Sequence, residues 1–185
     1  MRVSRKQMDA NRVRILEEAG RLFRERGFDA VTVADVMKAA GLTHGGFYGH
    51  FESKDALIAA VVAHSLSPDR VATAELGGLV DAYLSPAHRD TPAQGCPTAS
   101  LAGLMRLQTP EAKAAMASGV EAQLARLVQS MPAASDGERR QAAIGQWAAM
   151  VGAVVLARAV GEVPLADEIL SATRSWIKGA TETPT

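Results

Sequence analysis

Cysteine is almost missing from this 185-residue chain: there is one, Cys96. That excludes an internal disulfide framework and any zinc or iron–sulfur centre built on several cysteines. Aromatic residues make up 4% of the chain, and glycine (16) and proline (8) stay far below collagen-like or low-complexity levels. Long apolar runs are lacking as well. The longest, Trp147 to Ala157, is closed by Arg158 and falls short of the roughly 18 residues or more of a membrane span. Met1 to Arg14 is polar and basic and has no apolar stretch of the kind a secretory signal needs. These absences point to a cytoplasmic protein with no membrane partner. No paired acid and base, Ser–His–Asp pattern or phosphate-cradling loop is legible, so no enzyme, cofactor or metal is expected. His44 and His50 form half a metal site at most, because no third ligand lies near them in sequence.

What is abundant is alanine, with 35 residues. It is the best helix former, and an all-α fold is expected. Net charge is zero but unevenly spread. Residues 1–54 hold ten Lys/Arg against seven Asp/Glu, a balance of +3, and the remainder carries −3. A basic end on an acidic body suits an anionic partner at that end, or else a solvated helix face.

Helical periodicity places the first helix over Met8–Arg26, with Ile15, Leu16, Ala19, Leu22 and Phe23 inward and Gly27 ending it. Thr32 with Asp35 reads as a capping box for a helix over Val33–Ala40. Gly41 stops it, Leu42 fills the turn, and Thr43 caps a third helix from His44 to Phe51. Ser53 caps a fourth over Lys54–Leu66. Further helices are expected over Asp69–Leu84, Thr98–Gln108, Pro110–Met131, Glu138–Val160 and Leu165–Ala180. Ser85–Pro97 and Pro132–Gly137 read as loops, the former because it carries three prolines and a glycine before its end.

Helix, glycine turn and short helix over Thr32–Phe51 follow the plan of a helix-turn-helix. In that plan Val33, Val36, Leu42, Phe47 and Phe51 face inward. The start of the second helix, Thr43, His44, Gly45 and Gly46, is left outward, where base edges are read. The run TVADVMKAAGLTHGGFYGHFESKDAL, preceded by LFRERGFDAVT, resembles the N-terminal DNA-binding domain of the TetR family of bacterial transcriptional regulators. The likeness covers Ile15 to Val62; beyond it the chain matches only in plan.

The resemblance implies a three-helix DNA-binding domain at 1–52 and a helical effector-binding and dimerisation bundle at 53–185. It implies phosphate contacts from Thr32, Tyr48, His50 and Lys54, and major-groove contacts from Thr43 and His44. Arg5, Lys6 and Arg12 would add an arm or rim of further phosphate contacts. Double-stranded operator DNA, a second copy of the chain and a small-molecule effector are the implied partners, and repression relieved by the effector is the implied function. Two positions depart from the family: Met37 stands where a small residue is usual, and Gly46 where Thr, Ser or Ala is. Gly46 is expected to make room for Met37. Gly45, Gly46 and Gly49 also make the recognition helix weak, at about 1 kcal/mol per glycine relative to alanine.

Candidates for an effector pocket are Tyr83, Cys96, Met105, Met116, Gln123, Trp147 and Met150. Cys96 before a helix is either a reactive thiol, helped by His88 and Arg89, or a small buried residue. A reactive Cys96 would make the chain a redox or electrophile sensor, as the Gly-Cys-Pro loop of some TetR-like regulators suggests; a constitutive DNA binder is the remaining reading. Gly145, Ala149, Ala153, Ala157 and Gly161 form one smooth stripe, and Leu165, Ile169, Ala172, Trp176 and Ala180 another. The resemblance assigns both helices, 138–160 and 165–180, to the dimer interface.

Overall fold

The computed structural model describes residues 4–68, 76–131 and 135–182, which are mostly helical with no strand among them. Helix α1 spans Arg5–Arg26, capped by Ser4, whose hydroxyl accepts from the Gln7 amide. It starts three residues before the expected Met8 because Ser4 and not a later residue supplies the cap. Helix α2 is Val33–Ala39. The third helix is not α-helical: His44–Gly49 is a 3₁₀ segment. Three of its six residues are glycine, and glycine contributes no side-chain burial and loses most backbone freedom in an α-helix. Helix α3 follows at Lys54–Ser65, with the Ser53 hydroxyl accepting from the Ala56 amide.

Of the helix expected over Asp69–Leu84, residues 69–75 lie outside the described residues, and α4 covers Leu76–Tyr83. The segment read as a loop carries α5, Pro86–Asp90, and a 3₁₀ turn at Pro92–Gln94. Its prolines begin turns: Pro86, Pro92 and Pro97 each open a short helical piece. At a first helical position the missing N–H has no partner to lose. Helix α6 is only Pro97–Leu101, and Ala102–Leu107 tightens to 3₁₀, where one α-helix was expected to Gln108. Helix α7 is Pro110–Gln129, capped by Thr109. Helix α8 is Asp136–Val160, started by a Ser135–Glu138 capping box two residues before the expected Glu138, so that the expected loop ends at Ser135; its residues 132–134 lie outside the described residues. Helix α9 is Pro164–Glu182.

Two apolar cores form. The first joins α1, α2, the 3₁₀ segment and α3, and continues past residue 52 through Val61, Val62 and Leu66 to Leu101, Met105, Ala112 and Met116. The second joins Val80, Tyr83, Leu84, Leu124, Leu127, Trp147, Met150, Val154, Leu170 and Ile177. Helix α3 is therefore the shaft between head and body. It rests on α7 where Leu66 lies over Gly119; a Cβ at Gly119 would collide with the Leu66 Cβ.

Helix α8 is long and apolar enough to cross a membrane by length and composition alone, although its longest uninterrupted apolar run is only Trp147 to Ala157. In the fold its Ala143, Trp147, Met150, Ala153, Val154 and Ala157 are core. Ala153 and Ala157 thus face their own protomer rather than a partner, and Gly161 is the cap beyond the helix end. A four-residue repeat drifts about 40° per step on a helix of 3.6 residues per turn, so the stripe wraps off one face. The uncovered face carries Ile144, Gly145, Ala148, Val155 and Leu156, and beside it on α9 lie Leu165, Ala172 and Trp176, the last 60% exposed. The side chain of Ala180 lies outside the described residues.

Gly119→Ala is expected to destabilise the fold by about 1–3 kcal/mol through overpacking against Leu66. Urea denaturation, read as a lower midpoint at unchanged slope, checks this.

Candidate nucleic-acid interface and cavity

The recognition corner is built by local hydrogen bonds. The Thr32 hydroxyl accepts from the Asp35 amide (3.1 Å), and the Asp35 carboxylate takes the Thr32 amide (2.9 Å) and hydroxyl (2.6 Å). Those bonds from Thr32 hold the Asp35 carboxyl below its usual range. At the far end of α2 the Gly41 amide donates to the Lys38 carbonyl and the Leu42 amide to the Met37 carbonyl, a Schellman turn. It needs a left-handed residue, and Gly41 sits at φ +66°. Val36 and Met37 are buried, while Val33 and Leu42 are half-buried against the same core. Phe47 and Phe51 lie beneath the 3₁₀ segment with ring centroids 5.7 Å apart.

This leaves Thr43, His44, Gly45, Gly46 and Tyr48 exposed on one surface, with Tyr48 68% exposed. Tyr48 meets Phe47 only edge-on, at 5.3 Å. The Thr43 hydroxyl makes no capping bond, contrary to its expected role. A Cβ at Gly46 would lie 3.6 Å from the Met37 Cε, ordinary van der Waals contact. The two residues do touch, but alanine fits at 46, so Met37 does not require glycine there. The Thr32 hydroxyl proton is held by Asp35, so what α2 offers a phosphate through Thr32 is in competition with a carboxylate.

Two exposed arginines of α1 brace the head. Arg12 donates to the His50 carbonyl at 2.7 Å and lies over the Phe51 ring at 4.3 Å. It clamps the end of the recognition segment onto α1 and is not part of a loose arm. Arg14 donates to the Ala40 carbonyl (3.3 Å) at the end of α2. His50 is half-buried, and burial, then Arg12, lowers its pKa. It is therefore neutral near pH 7. Lys54 opens α3 next to the same surface, where the helix N-terminus and the ammonium attract one anion together.

The second feature is a cavity of about 450 Å³. Leu66, Leu79, Ala82, Pro97, Gly119 and the Tyr83 and Trp147 rings give it apolar walls, and Thr98, Gln123, His88 and Cys96 supply polar groups. Of the pocket residues expected from sequence, Tyr83, Cys96, Gln123 and Trp147 line it. Met105 and Met116 belong to the first core and Met150 to the second, outside the lining. Their helical positions face the protein interior, and periodicity alone cannot separate core from cavity wall.

One wall is the segment Pro86–Pro97, and two more arginines fix it. Arg24 of α1 donates twice to the Ala93 carbonyl, at 2.9 and 2.6 Å. Arg158 of α8 donates to the carbonyls of His88 (2.8 Å) and Arg89 (3.0 Å) and to the Ser100 hydroxyl (3.1 Å). Within the wall the His88 Nε2 accepts from the Cys96 amide at 2.9 Å, and Nδ1 lies 2.7 Å from the Tyr83 carbonyl. Those partners require the neutral tautomer with the proton on Nδ1. Burial, ahead of the Tyr83 bond that opposes it, lowers the pKa of His88. Cys96 is half-buried. The helix it precedes has five residues and starts with Pro97, which has no N–H to offer a thiolate. Arg89 turns to Asp90 and Asp167 instead of Cys96. Neither helper expected at the thiol reaches it through its side chain as foreseen. Arg24 and Arg158 were missed; the only hint was a charge closing the apolar run at 158.

Comparison with known proteins agrees with the head. Residues 15–61 match the family model described as bacterial regulatory proteins, tetR family. The HTH-type transcriptional repressor KstR2 of Rhodococcus jostii is 45% identical over 47 residues, 25% of this chain and 23% of the relative. The HTH-type transcriptional regulator TtgR of Pseudomonas putida is 36% identical over 62 residues, 34% of this chain and 30% of the relative. The chain thus spans about a fifth to a third of the curated relatives it matches. Over the whole chain the fold is similar to solved structures. A transcriptional regulator from Cytophaga hutchinsonii gives a TM-score of 0.75 at 20% identity, covering 100% of both chains. The reduced form of E. coli NemR gives 0.72 at 21%, covering 95% of this chain and 99% of that one.

Replacing Arg12 by Met is expected to lower global stability by about 1 kcal/mol, from one charged hydrogen bond and an exposed cation–π contact. A thermal melt at neutral pH reads it. Arg24→Met is expected to raise amide exchange in residues 91–96 by roughly tenfold or more, the cost of two charge-assisted bonds. Unchanged exchange there would show that the wall stands without α1.

Proposed function

We propose that this chain, whose N-terminal domain belongs to the tetR family of bacterial regulatory proteins, is a homodimeric DNA-binding transcriptional regulator that releases a palindromic operator when a small molecule occupies the cavity. The exposed surface of Thr43, His44, Gly45, Gly46 and Tyr48, flanked by Lys54, supports the DNA-binding half of this reading. The side chains fall into two roles. Tyr48 and Lys54 suit phosphates, and Thr43 and His44 suit base edges. With glycine at 45 and 46, few side chains reach the groove, so DNA shape carries much of the selectivity.

The uncovered apolar face of α8 and α9 supports the dimer. Ile144, Val155, Leu156, Leu165 and Trp176 expose large side chains side by side on two neighbouring helices, a patch of the kind that marks an interface. A two-fold axis there sets the recognition segments about one DNA turn apart, roughly 34 Å. The cavity supports effector binding, and the wall gripped by Arg24 supplies a route to the head. On this reading an effector acts only as far as it prefers one arrangement of wall and head over the other. The chain's place is with the gene-regulatory proteins of the cytoplasm.

Selection of bound duplexes from a random library is expected to recover an inverted repeat with half-sites about one turn apart. Lys54→Ala is then expected to weaken binding to every selected duplex alike and to lower the salt slope by about one phosphate contact. Enrichment of no sequence, or a change confined to one base position, would contradict these assignments.

A further inference from the structure

The cavity holds buried polar atoms with no partner in the protein. The Thr98 hydroxyl and the Trp147 indole N–H are unpaired, and the Tyr83 hydroxyl meets only the weak partner Cys96; these residues are 6%, 7% and 7% exposed. All three line the one cavity. A buried polar group left without a good partner is costly, so three in one place form a set that an incoming group can satisfy. Trp147 can only donate. Burial first, with Cys96 second, raises the Tyr83 pKa far above its usual value, so the phenol stays a proton donor.

The lining has no Lys, Arg, Asp or Glu. His88 is neutral, because both of its ring nitrogens are committed to the wall. A charged ligand would lose its hydration and meet no countercharge. The Tyr83 and Trp147 rings, in contact with centroids 5.3 Å apart and planes inclined at 60°, form one aromatic corner of the wall beside Leu66 and Leu79.

We infer that the cavity takes an uncharged, flat, largely apolar molecule that carries a hydrogen-bond acceptor such as a carbonyl oxygen, received by the Trp147 N–H with the Tyr83 or Thr98 hydroxyl. This rests on the reading of the cavity as the effector site, and it names the class of effector.

The test is equilibrium dialysis of the full-length protein with three molecules of one shape: tetralone, tetralin, and tetralone carboxylate. Tetralone is expected to bind about tenfold or more tightly than tetralin, which lacks the acceptor, and than the carboxylate, which adds a charge. Trp147→Phe keeps the ring and removes the N–H. It and Tyr83→Phe are expected to bring tetralone and tetralin close to parity, with melting temperature little changed because Trp147 loses no protein hydrogen bond and Tyr83 only a weak one to Cys96. Thr98→Val serves as a further variant should either fail to fold. Equal binding of ketone and hydrocarbon to the wild type, preference for the carboxylate, no uptake of tetralone up to its solubility, or a ketone preference that survives in every folded variant would each overturn the inference. DNA affinity is measured separately with and without tetralone. Acceptor-dependent binding that leaves DNA affinity unchanged upholds the ligand class and counts against the effector reading instead.

Discussion

The segment from Pro86 to Pro97 holds its shape because arginines reach it from both sides. Arg24 comes from the DNA-binding head and Arg158 from the long helix of the body, and both end on backbone carbonyls. A carbonyl in a proline-rich stretch has few amide donors in reach, since Pro86, Pro92 and Pro97 contribute none. Guanidinium groups, with five donors on a rigid plane, replace the missing amides. The cavity depends on this. His88, Cys96 and Pro97 are wall because the segment stays where the arginines put it, and His88 then locks itself between Tyr83 and Cys96.

The recognition corner solves a similar problem differently. Its short 3₁₀ segment is rich in glycine and has little propensity to hold itself together. It is held from below by Phe47 and Phe51, each burying on the order of 1.5–3 kcal/mol of apolar side chain. It is held at its end by Arg12, and its neighbour α2 is held at the C-terminus by Arg14 and the Schellman turn. The surface offered to DNA is consequently shaped by residues that never reach it. Substitutions at Arg12 therefore act at least through order in the segment.

The sequence made the head legible almost to the residue. Thr32, Asp35, Gly41, Ser53 and the spaced apolar positions of α1 and α3 are local signals, and local hydrogen bonds decide them. The type of the third helix was not legible, because α and 3₁₀ share capping residues and differ by one position in the bond each amide makes. The prolines of 86–97 read as breakers, although at first helical positions they start turns. In the cavity, Tyr83, Cys96, Gln123 and Trp147 were foreseeable as polar or aromatic interruptions of apolar faces. The three methionines were not separable from core by the same signal, and they proved to be core. Arg24 and Arg158 were out of reach because their partners in the wall are mostly main-chain oxygens about seventy residues away in sequence, and main-chain atoms leave no trace in composition.

Helix α8 ties the two halves of the body together. One face packs Trp147, Met150 and Val154 inward, another leaves Ile144, Val155 and Leu156 uncovered, and near its end Arg158 grips the cavity wall. A rigid helix cannot rotate one of these faces without turning the others. On the proposed reading, a ligand seated against Trp147 and a partner subunit seated against Leu156 press on the same rod. Arg158 sits three residues from Val155 and two from Leu156, so a shift of α8 at the interface reaches the wall directly and, through the Ala93 carbonyl, reaches Arg24 in α1. On that reading the arrangement needs no separate relay: a small displacement of one helix would change the cavity wall and the tilt of the head together, because close-packed interiors transmit displacement instead of absorbing it.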